Sequence, residues 1–337
     1  HNCTNLTGVN NWYFTSLKII FVSLTIICQI HFISAQDIIN NSWEHEKLWV
    51  AEKNESNLII ESEQMYAQRW DMLPQAKFWK KIMKLSKDSC LVNVASTRQI
   101  LQRIQSKDWY AMNKTEKSKF REAMRIKHGI QEGESIYVTS GKCDFYKFDE
   151  VYPTLRDGIT VFDEMCVDPW YAQSILLIES PGQLKKSISG AYGAFQLMPS
   201  VARAQGLIVN KITDERKDFE KSATAAAKLL SKICIPQARK ILATHEIEYE
   251  ENNLWFRFLV LHIYHAGAGN VAAVLNLIQP EEGSQELIKA MWQHKAAGFG
   301  NCSQNYSQLA IASQLILRDM VYKNCSCLLY TSPSPRD

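Results

Sequence analysis

The sequence lacks the signatures of several common classes of protein. It has no internal repeat and no H-E-x-x-H motif, and its nine cysteines include no C-x-x-C pair, which argues against repeat architectures and the usual zinc sites. The net charge of +3 is slight, and no basic patch is interleaved with aromatic residues, so nothing favours nucleic acid as a partner. With 46% hydrophobic and 22% charged residues, the composition is that of an ordinary globular protein.

Metals, cofactors and a disulfide framework are not expected. His262 and His265 could share a helix face, but the Glu of a metalloprotease motif is missing. The cysteines between the two ends of the chain are odd in number, which argues against a complete disulfide framework, although one or two bridges could form after export. They are Cys90, Cys143, Cys166, Cys234 and Cys302.

Both ends of the chain are predicted to lie outside the catalytic fold. Residues 1–35 contain an apolar run after Lys18 and a small residue for cleavage at Ala35, which is the layout of a secretory signal peptide. The run is too short and too interrupted for a confident membrane span, so we expect export to the periplasm or cell envelope. Residues 36–63 are polar and predict a linker. Residues 325–337 lack a hydrophobic period at their end and are interpreted as a non-native tail.

A small helical region is predicted for residues 64–134. Apolar residues recur at helical spacing from Met65 to Leu85, from Thr97 to Ile104 and from Lys114 to Ile126. Its large aromatic residues are interpreted as core rather than as sugar-stacking platforms; they are Trp70, Phe78, Trp79 and Trp109. A short strand is expected at Ser135–Thr139, where polar and apolar residues alternate.

The chain is organised around the stretch from Ile175 to Pro199. A helix with an apolar face leads into Glu179, Ser180-Pro181-Gly182 breaks it, and a polar loop follows. A carboxyl group beside apolar side chains has its charged form disfavoured, so the pKa of Glu179 should rise toward neutrality. That property suits a general acid for cleavage of a glycosidic bond.

The segments after this stretch predict further helices. Ser200 is expected to cap a short helix ending at Gly206, and Asp214 or Asp218 to open a longer one before Pro236. Leu254–Tyr264 is apolar on nearly every side and predicts a buried central helix. A last helix carries apolar residues at helical intervals from Tyr306 to Met320.

Three motifs resemble the soluble lytic transglycosylase (SLT) domain. Glu179-Ser180, Ser189 to Ala194 and Gln196-Leu197-Met198-Pro199 resemble its E-S…S-x-x-G-A-x-G-x-x-Q-x-M-P signature. Asp214–Asp218 and Tyr264–Val271 resemble the D-E-R-x-D and Y-N-A-G-x-G-x-V motifs of the membrane-bound lytic murein transglycosylase D branch. The resemblance extends from Tyr137 to Leu317 and implies a mainly α, lysozyme-like catalytic domain, placed at residues 135–324.

The resemblance also implies an activity and its residues. Glu179 would be the single catalytic acid, which cleaves the bond between N-acetylmuramic acid and N-acetylglucosamine and leaves 1,6-anhydromuramic ends. Substrate would be held by residues of the three motifs and the last helix: Ser187 or Ser189, Gln196, Met198, Tyr264, His265 and Tyr306. His265 stands where the family has Asn, and Tyr306 could equally be a core residue.

The expected partner is the glycan strand of peptidoglycan, and the expected form is a monomer. Association with a membrane or the wall is compatible with export. Two alternatives to a lytic transglycosylase stay open. One is a hydrolytic muramidase, and the other is a peptidoglycan-binding protein with a degenerate cleft, which the His265 replacement favours.

Overall fold

The computed structural model describes residues 43–52, 55–179, 186–187, 189–324 and 328–330. The predicted signal peptide, the helix break at Ser180-Pro181-Gly182 and the last residues of the predicted tail lie outside these ranges. The chain divides into two units, residues 1–44 and 45–337. Only residues 43 and 44 of the first unit are among those described, and the account below concerns the second unit.

The second unit is mainly α-helical, which confirms the predicted fold class. Its helices before the central stretch are α1 (Gln64–Ala67), α2 (Pro74–Lys84), α3 (Ser106–Ala111), α4 (Lys114–Lys127), α5 (Phe148–Glu164) and α6 (Pro169–Glu179). Those that follow are α7 (Pro199–Ala204), α8 (Phe219–Leu229), α9 (Ile235–Thr244), α10 (Leu254–Ala266), α11 (Ala268–Ile278), α12 (Gln285–Gln293) and α13 (Asn301–Asn324).

In the described part of the chain, two small antiparallel sheets accompany the helices. Strands β1 (Lys47–Glu52) and β2 (Glu55–Ile60) pair with each other, and β6 (Leu328–Tyr330) lies on the other side of β1. In the second sheet β3 (Ser89–Val94) lies between β4 (Ile100–Gln105) and β5 (Ile136–Ser140). The predicted strand at Ser135–Thr139 is confirmed by β5.

The linker predicted for residues 36–63 is wrong over β1 and β2. Leu48 and Val50 on β1 and Leu58 and Ile60 on β2 are buried, because alternate residues of a strand point to the same side of the sheet. Polar residues before and after these short apolar runs hid the two strands from a reading based on composition. Strand β6 likewise lies in the segment predicted as a tail, and the structure pairs it with β1.

The helical prediction for Thr97–Ile104 is also wrong. Ile100–Gln105 forms β4, which pairs with the fully buried β3 and has a register shift between Val92 and Asn93. Three apolar residues in this segment fit a helix as well as a half-buried strand, and pairing with β3 decides between the two. Residues 64–134 therefore form a mixed α/β region.

Helix boundaries after the central stretch agree in part with the prediction. Asp218 caps α8 by accepting a hydrogen bond from the backbone N–H of Lys221. Of the two predicted first residues, Asp214 and Asp218, it is therefore Asp218 that opens this helix. Met198, not Ser200, precedes the first residue of α7. Pro236 does not follow a helix end, because a π-helical turn at Leu230–Cys234 leads directly into α9, where proline is tolerated in the first turn.

The core joins most of these elements in one cluster. The predicted central helix is confirmed, since α10 is buried from Leu254 to Ile263. Trp70, Phe78, Trp79 and Trp109 are buried as predicted. No helix in the described part of the chain is long and apolar enough to cross a membrane.

Candidate active site

Helix α6 carries Glu179 as its last residue. Every residue of α6 from Pro169 to Ile178 is buried. At its start, the Asp168 carboxylate accepts a hydrogen bond of 2.9 Å from the backbone N–H of Trp170, which satisfies one of the free N–H groups of a helix N-terminus. The helix is thus fixed by its surroundings on all sides, and so is the position of its terminal acid.

Gln173 ties the middle of α6 to two other elements. Its side-chain amide donates to the carbonyl of Ile60 at 2.7 Å and accepts from the N–H of the same residue at 2.8 Å. It also donates to the Gln314 side chain on α13 at 2.5 Å, and Gln314 donates to Ser174 at 2.9 Å. Since buried polar groups are costly when unpaired, this network specifies one arrangement of the sheet and the two helices.

A buried ion-pair network joins the beginning of α6 to α10. Arg257, which is fully buried, donates from Nε to Asp168 at 2.7 Å and from Nη1 to Glu46 at 2.8 Å. Asp168 therefore caps the N-terminus of α6 and also balances the charge of Arg257 on α10. Helix α10 ends with Tyr264 and His265 near its C-terminus, so the network sets the relative position of the two helices that carry the predicted site.

Glu179 is half-buried, and the atoms around it raise its pKa to about 7 by removing its carboxyl group from water. The Tyr306 hydroxyl acts in the opposite direction, since a hydrogen bond to the carboxylate favours the charged form. That hydroxyl is buried and has no partner at standard hydrogen-bond geometry, so its contact with Glu179 is a weak one. A carboxyl group with this pKa is partly protonated at neutral pH.

Tyr264 lies next to this acid and holds the turn that follows the polar loop. Its hydroxyl donates a hydrogen bond of 2.6 Å to the carbonyl of Phe195. Burial raises the pKa of Tyr264, and the nearby charge of Glu179 raises it further. Tyr264 therefore couples the Gly193–Leu197 turn to the surroundings of Glu179.

His265 is stacked on Tyr306, with ring centroids 4.4 Å apart and planes inclined by 19°. More than a third of His265 is exposed, yet neighbouring protein atoms still lower its pKa. Its imidazole is therefore neutral near pH 7. Tyr306 is buried between this ring and the carboxyl group of Glu179.

Glu179, His265 and Tyr306 together line an open cleft. One wall comes from the N-terminal α/β region and the segment after it, and the other from the ends of α6, α10 and α13. The lining residues are Trp79, Arg98, Tyr137, Thr139, Lys142, Phe145, Tyr146, Ile178, Glu179, His265, Asn301, Cys302, Asn305, Tyr306 and Leu309. Glu179 is the only acidic residue in this set.

The polar loop and the turn after it carry the other predicted substrate contacts. Ser187 accepts a hydrogen bond from the backbone N–H of Ala191 at 2.9 Å, and its hydroxyl lies 3.0 Å from that of Ser189. The Gln196 side chain donates to the carbonyl of Gly193 at 3.0 Å, and Met198 is 38% exposed. None of these four is among the residues that line the cleft. They lie together in the loop and turn of residues 187–198, which follow Glu179 in the chain.

Asp214 and Arg216 of the D-E-R-x-D motif hold this turn in place. The Asp214 carboxylate binds the buried Arg216 guanidinium through two hydrogen bonds, of 2.8 and 2.7 Å. Arg216 also donates to the carbonyls of Gly190 and Leu197, at 2.8 Å each. The hydrogen bonds from Arg216 lower the pKa of Asp214. Hydrogen bonds lower the pKa of Glu215 too, the largest contribution coming from the backbone N–H of Ile208 and the next from the side chain of Lys221. Both acids stay ionised and structural.

His262 faces the core. Its Nε2 lies 2.8 Å from the Ser307 hydroxyl, which also accepts a hydrogen bond from Trp292, and burial lowers the pKa of His262 to about 3. His262 and His265 thus do not converge on one site. The described residues contain no cluster of His, Cys, Asp and Glu suited to a metal ion, and the cysteines from Cys90 to Cys302 are unpaired.

Several cleft residues could not be found from the motifs. Arg98, Tyr137 and Lys142 come from the second sheet and the turn after it, and Tyr146 precedes α5. Burial raises the pKa of Tyr146, and the charge of Glu179 adds to this effect. No spacing rule links these positions to Glu179, because Arg98 lies in the turn between β3 and β4 and the pairing of β3 with β5 brings Tyr137 and Lys142 to the cleft.

A comparison with protein families matches residues 165–285 to the Transglycosylase SLT domain. The matched segment contains Glu179, Tyr264 and His265, and it ends at the first residue of α12. The match supports the lytic transglycosylase family inferred from the motifs, whereas the D branch stays a prediction. A comparison with curated proteins found no match.

Proposed function

We propose that this protein is an exported peptidoglycan lytic transglycosylase in which Glu179 is the single catalytic acid. The observation that carries the proposal is the raised pKa of Glu179, about 7, in a cleft whose described lining includes no second carboxyl group. The usual hydrolytic routes require two carboxyl groups, one of them as nucleophile or as base for water. A single acid fits a reaction in which the substrate supplies its own nucleophile.

In the proposed reaction, protonated Glu179 donates its proton to the glycosidic oxygen between N-acetylmuramic acid and N-acetylglucosamine. The carboxylate that results accepts the proton of the 6-hydroxyl of the same muramyl residue, whose oxygen forms the new bond to C1. The products are a 1,6-anhydromuramic end and a free 4-hydroxyl, without water or cofactor. The attacking hydroxyl is already in place on the substrate, which is the advantage of proximity.

The surroundings of Glu179 suit both halves of this cycle. Removal from water favours the protonated form that starts the reaction, and the Tyr306 hydroxyl favours the carboxylate that forms midway. His265 keeps Tyr306 in position by stacking on its ring. His265 and Tyr306 are proposed to contact the sugar at the cleft, and Tyr264 to hold the turn that carries Gln196 and Met198.

The test is mass spectrometry of fragments released from purified peptidoglycan. A form spanning residues 36–330 is expected to release anhydromuramic ends, and Glu179→Gln to lower the rate by about 10²–10⁴-fold, as removal of a general acid does. Glu282→Gln is the matched control, because Glu282 is exposed and outside the cleft. Equal rates for the Glu179 variant and the control would contradict the assignment.

The same experiment distinguishes the two alternatives. Reducing ends instead of anhydro ends would identify a hydrolytic muramidase. Binding to peptidoglycan without release of any fragment would identify a binding protein, for which the replacement of the family Asn by His265 is the supporting observation. In that case His265→Asn tests whether the replacement accounts for the lost turnover.

A further inference from the structure

Arg98 is a buried cation in the wall of the cleft. It is 6% exposed, and its backbone is left-handed with φ of 61°. Its guanidinium lies 5.5 to 5.8 Å from the ring centroids of Phe78, Trp79 and Tyr137. One hydrogen bond, of 2.7 Å, runs from Nη2 to the amide oxygen of Asn305.

The charge of Arg98 is not neutralised by the described residues. Its Nε is buried and has no hydrogen-bond partner, and the described ion pairs do not include it. Aromatic faces attract a cation, but a buried charge is normally paired with an opposite one. An arginine stays protonated at any physiological pH. This position therefore favours an anion that arrives with a ligand.

Lys142 adds a second cation to the same wall. It is exposed, its Nζ lies 5.9 Å from the centroid of the Phe145 ring, and it has no ion pair among the described residues. Arg98 and Lys142 are the cations among the cleft residues, and Glu179 is the only acid there. The cleft is therefore positive when Glu179 is protonated.

We propose that Arg98 and Lys142 form a subsite for a carboxylate carried by the glycan substrate. The inference rests on the proposed function, since the muramyl residues of that substrate bear a lactyl carboxylate or, through it, a peptide with carboxylates of its own. Both cations precede the segment that matches the SLT domain. The N-terminal α/β region would thus supply a preference for acidic glycans over neutral ones.

The test measures binding by calorimetry in the Glu179→Gln background, in which the ligand is not consumed. The probes are a neutral N-acetylglucosamine tetramer, a peptide-free glycan tetrasaccharide with lactyl carboxylates, and the same tetrasaccharide with peptide stems. The peptide-free and peptide-bearing acidic probes distinguish the two sources of carboxylate. We expect at least one acidic probe to bind about tenfold more tightly than the neutral one at low salt, as a charged hydrogen bond allows.

The variants assign this preference to the two residues. Lys142→Gln is expected to weaken the acidic probe about threefold, as for an exposed ion pair, and to leave the neutral probe unchanged. Arg98→Gln should abolish the preference, and Arg98→Lys should restore part of it if the fold is intact by circular dichroism. Lys240→Gln removes the same charge from an exposed position outside the cleft and serves as control.

Two outcomes would overturn the subsite. One is equal affinity for neutral and acidic probes in the Glu179→Gln protein, and the other is an equal loss for both probes when Lys142→Gln is added to it. Either can occur while anhydromuramic products are still formed, so failure of the subsite is separable from failure of the proposed function. Conversely, a protein that prefers acidic probes but forms no anhydromuramic products would support the subsite and contradict the proposed activity.

Discussion

The carboxyl groups of this protein differ in protonation according to what each one faces. Asp214 and Glu215 accept hydrogen bonds from Arg216, Lys221 and backbone N–H groups, and their pKa values are lowered. Glu179 ends an apolar helix and faces a tyrosine hydroxyl, and its pKa is raised to about 7. All three are carboxyl groups, and the difference in environment accounts for the opposite directions of their pKa shifts.

The first prediction concerns the pH dependence of activity. In the proposed reaction the acid form of Glu179 starts the cycle, so the rate should fall as pH rises through about 7. Tyr306→Phe removes a contact that favours the charged form, so the pKa of Glu179 should rise and the alkaline limb should move to higher pH. The measurement is the pH–rate profile of peptidoglycan cleavage.

Tyr146→Phe is the matched control for this profile. Tyr146 also lines the cleft near Glu179, but its hydroxyl is not among the groups that shift the pKa of Glu179. Its alkaline limb should coincide with that of the parent protein. A Tyr306→Phe profile with an unmoved or lowered limb would show that this hydroxyl does not support the carboxylate.

The second prediction concerns stability. The pKa of Glu179 is about 7 in the folded state, against 4.5 for an unperturbed Glu. The folded state therefore holds a proton that the unfolded state loses, and the free energy of unfolding should fall as pH rises from about 4.5 to 7. Glu179→Gln cannot lose this proton, so at pH 8 it should be more stable than the parent by up to about 3 kcal/mol.

Urea unfolding at pH 4 and at pH 8 checks this sign. The gap between the Glu179→Gln variant and the parent should be small at pH 4 and larger at pH 8. Glu282→Gln, at an exposed position, should show no gap at either pH. A variant that is less stable than the parent at pH 8 would mean that the ionised carboxylate is well accommodated.

At the scale of elements, the ion pairs of Arg257 set the distance between the two helices that carry the site. Arg257 on α10 binds Asp168, which precedes α6, and Glu46, which precedes β1. Arg257→Met leaves two buried carboxylates without their cation, which should lower the free energy of unfolding by about 3–5 kcal/mol. Arg239→Met removes an exposed pair with Glu251 and should cost less than about 1 kcal/mol.

Chemical denaturation of the two arginine variants provides this comparison. A cost for Arg257→Met as small as that for Arg239→Met would show that the buried network is replaceable by apolar contacts. Activity of Arg239→Met should follow the folded fraction, because Arg239 is exposed and does not line the cleft.

The turn after the polar loop depends on the absence of a side chain at Gly193. Its φ is 84°, and an added Cβ would lie 1.9 Å from the carbonyl oxygen of Arg216. Gly193→Ala should therefore destabilise the protein by more than the roughly 1 kcal/mol of a left-handed alanine alone. Gly190 has a similar φ of 94° with open space around it. Gly190→Ala therefore measures the cost of a left-handed alanine without a steric clash.

The melting temperatures of the two alanine variants test this difference. Gly193→Ala should melt well below Gly190→Ala and should also lose activity, because the Phe195 carbonyl that binds Tyr264 belongs to the same turn. Equal melting temperatures would mean that the Arg216 carbonyl moves aside at little cost.

Elements with a long, regular pattern could be predicted from the sequence, and short ones could not. Helix α10 is apolar on nearly every side despite Arg257, and its burial follows from that composition. Strands β1, β2 and β4 are only six residues each, and so short an apolar run is ambiguous until partner strands are known. Glu179 could be found because its motif is local, whereas Arg98 and Lys142 reach the cleft through strand pairing.

At the scale of the whole molecule, the N-terminal α/β region belongs to the same compact unit as the segment that matches the SLT domain. The Trp79 indole on α2 donates to Gln308 on α13 at 3.0 Å, and Arg98 donates to Asn305 on the same helix. Phe78 and Trp79 are buried in the core shared with α13. Removing the wall that the N-terminal α/β region supplies would therefore expose the apolar face of α13 that supports the other wall.

The last prediction follows from this shared core. A fragment of residues 145–324 retains every predicted catalytic and substrate-binding residue but loses the packing of α2 and the second sheet. It should aggregate or melt at a much lower temperature than a form spanning residues 36–330, since it exposes a large apolar face. Circular dichroism melting checks this, and equal melting temperatures would show that the α/β region is an accessory.

Gln173 has a consequence for the order in which the chain acquires its structure. Its partners Ile60 and Gln314 lie 113 and 141 residues away along the chain. Contacts of such separation form only after long loops have closed, which slows folding. During synthesis, the amide of Gln173 has no second helix to bind until residue 314 has been made. A nascent chain therefore carries Glu179 long before it carries Tyr306 on α13, which contributes to the surroundings that tune the acid.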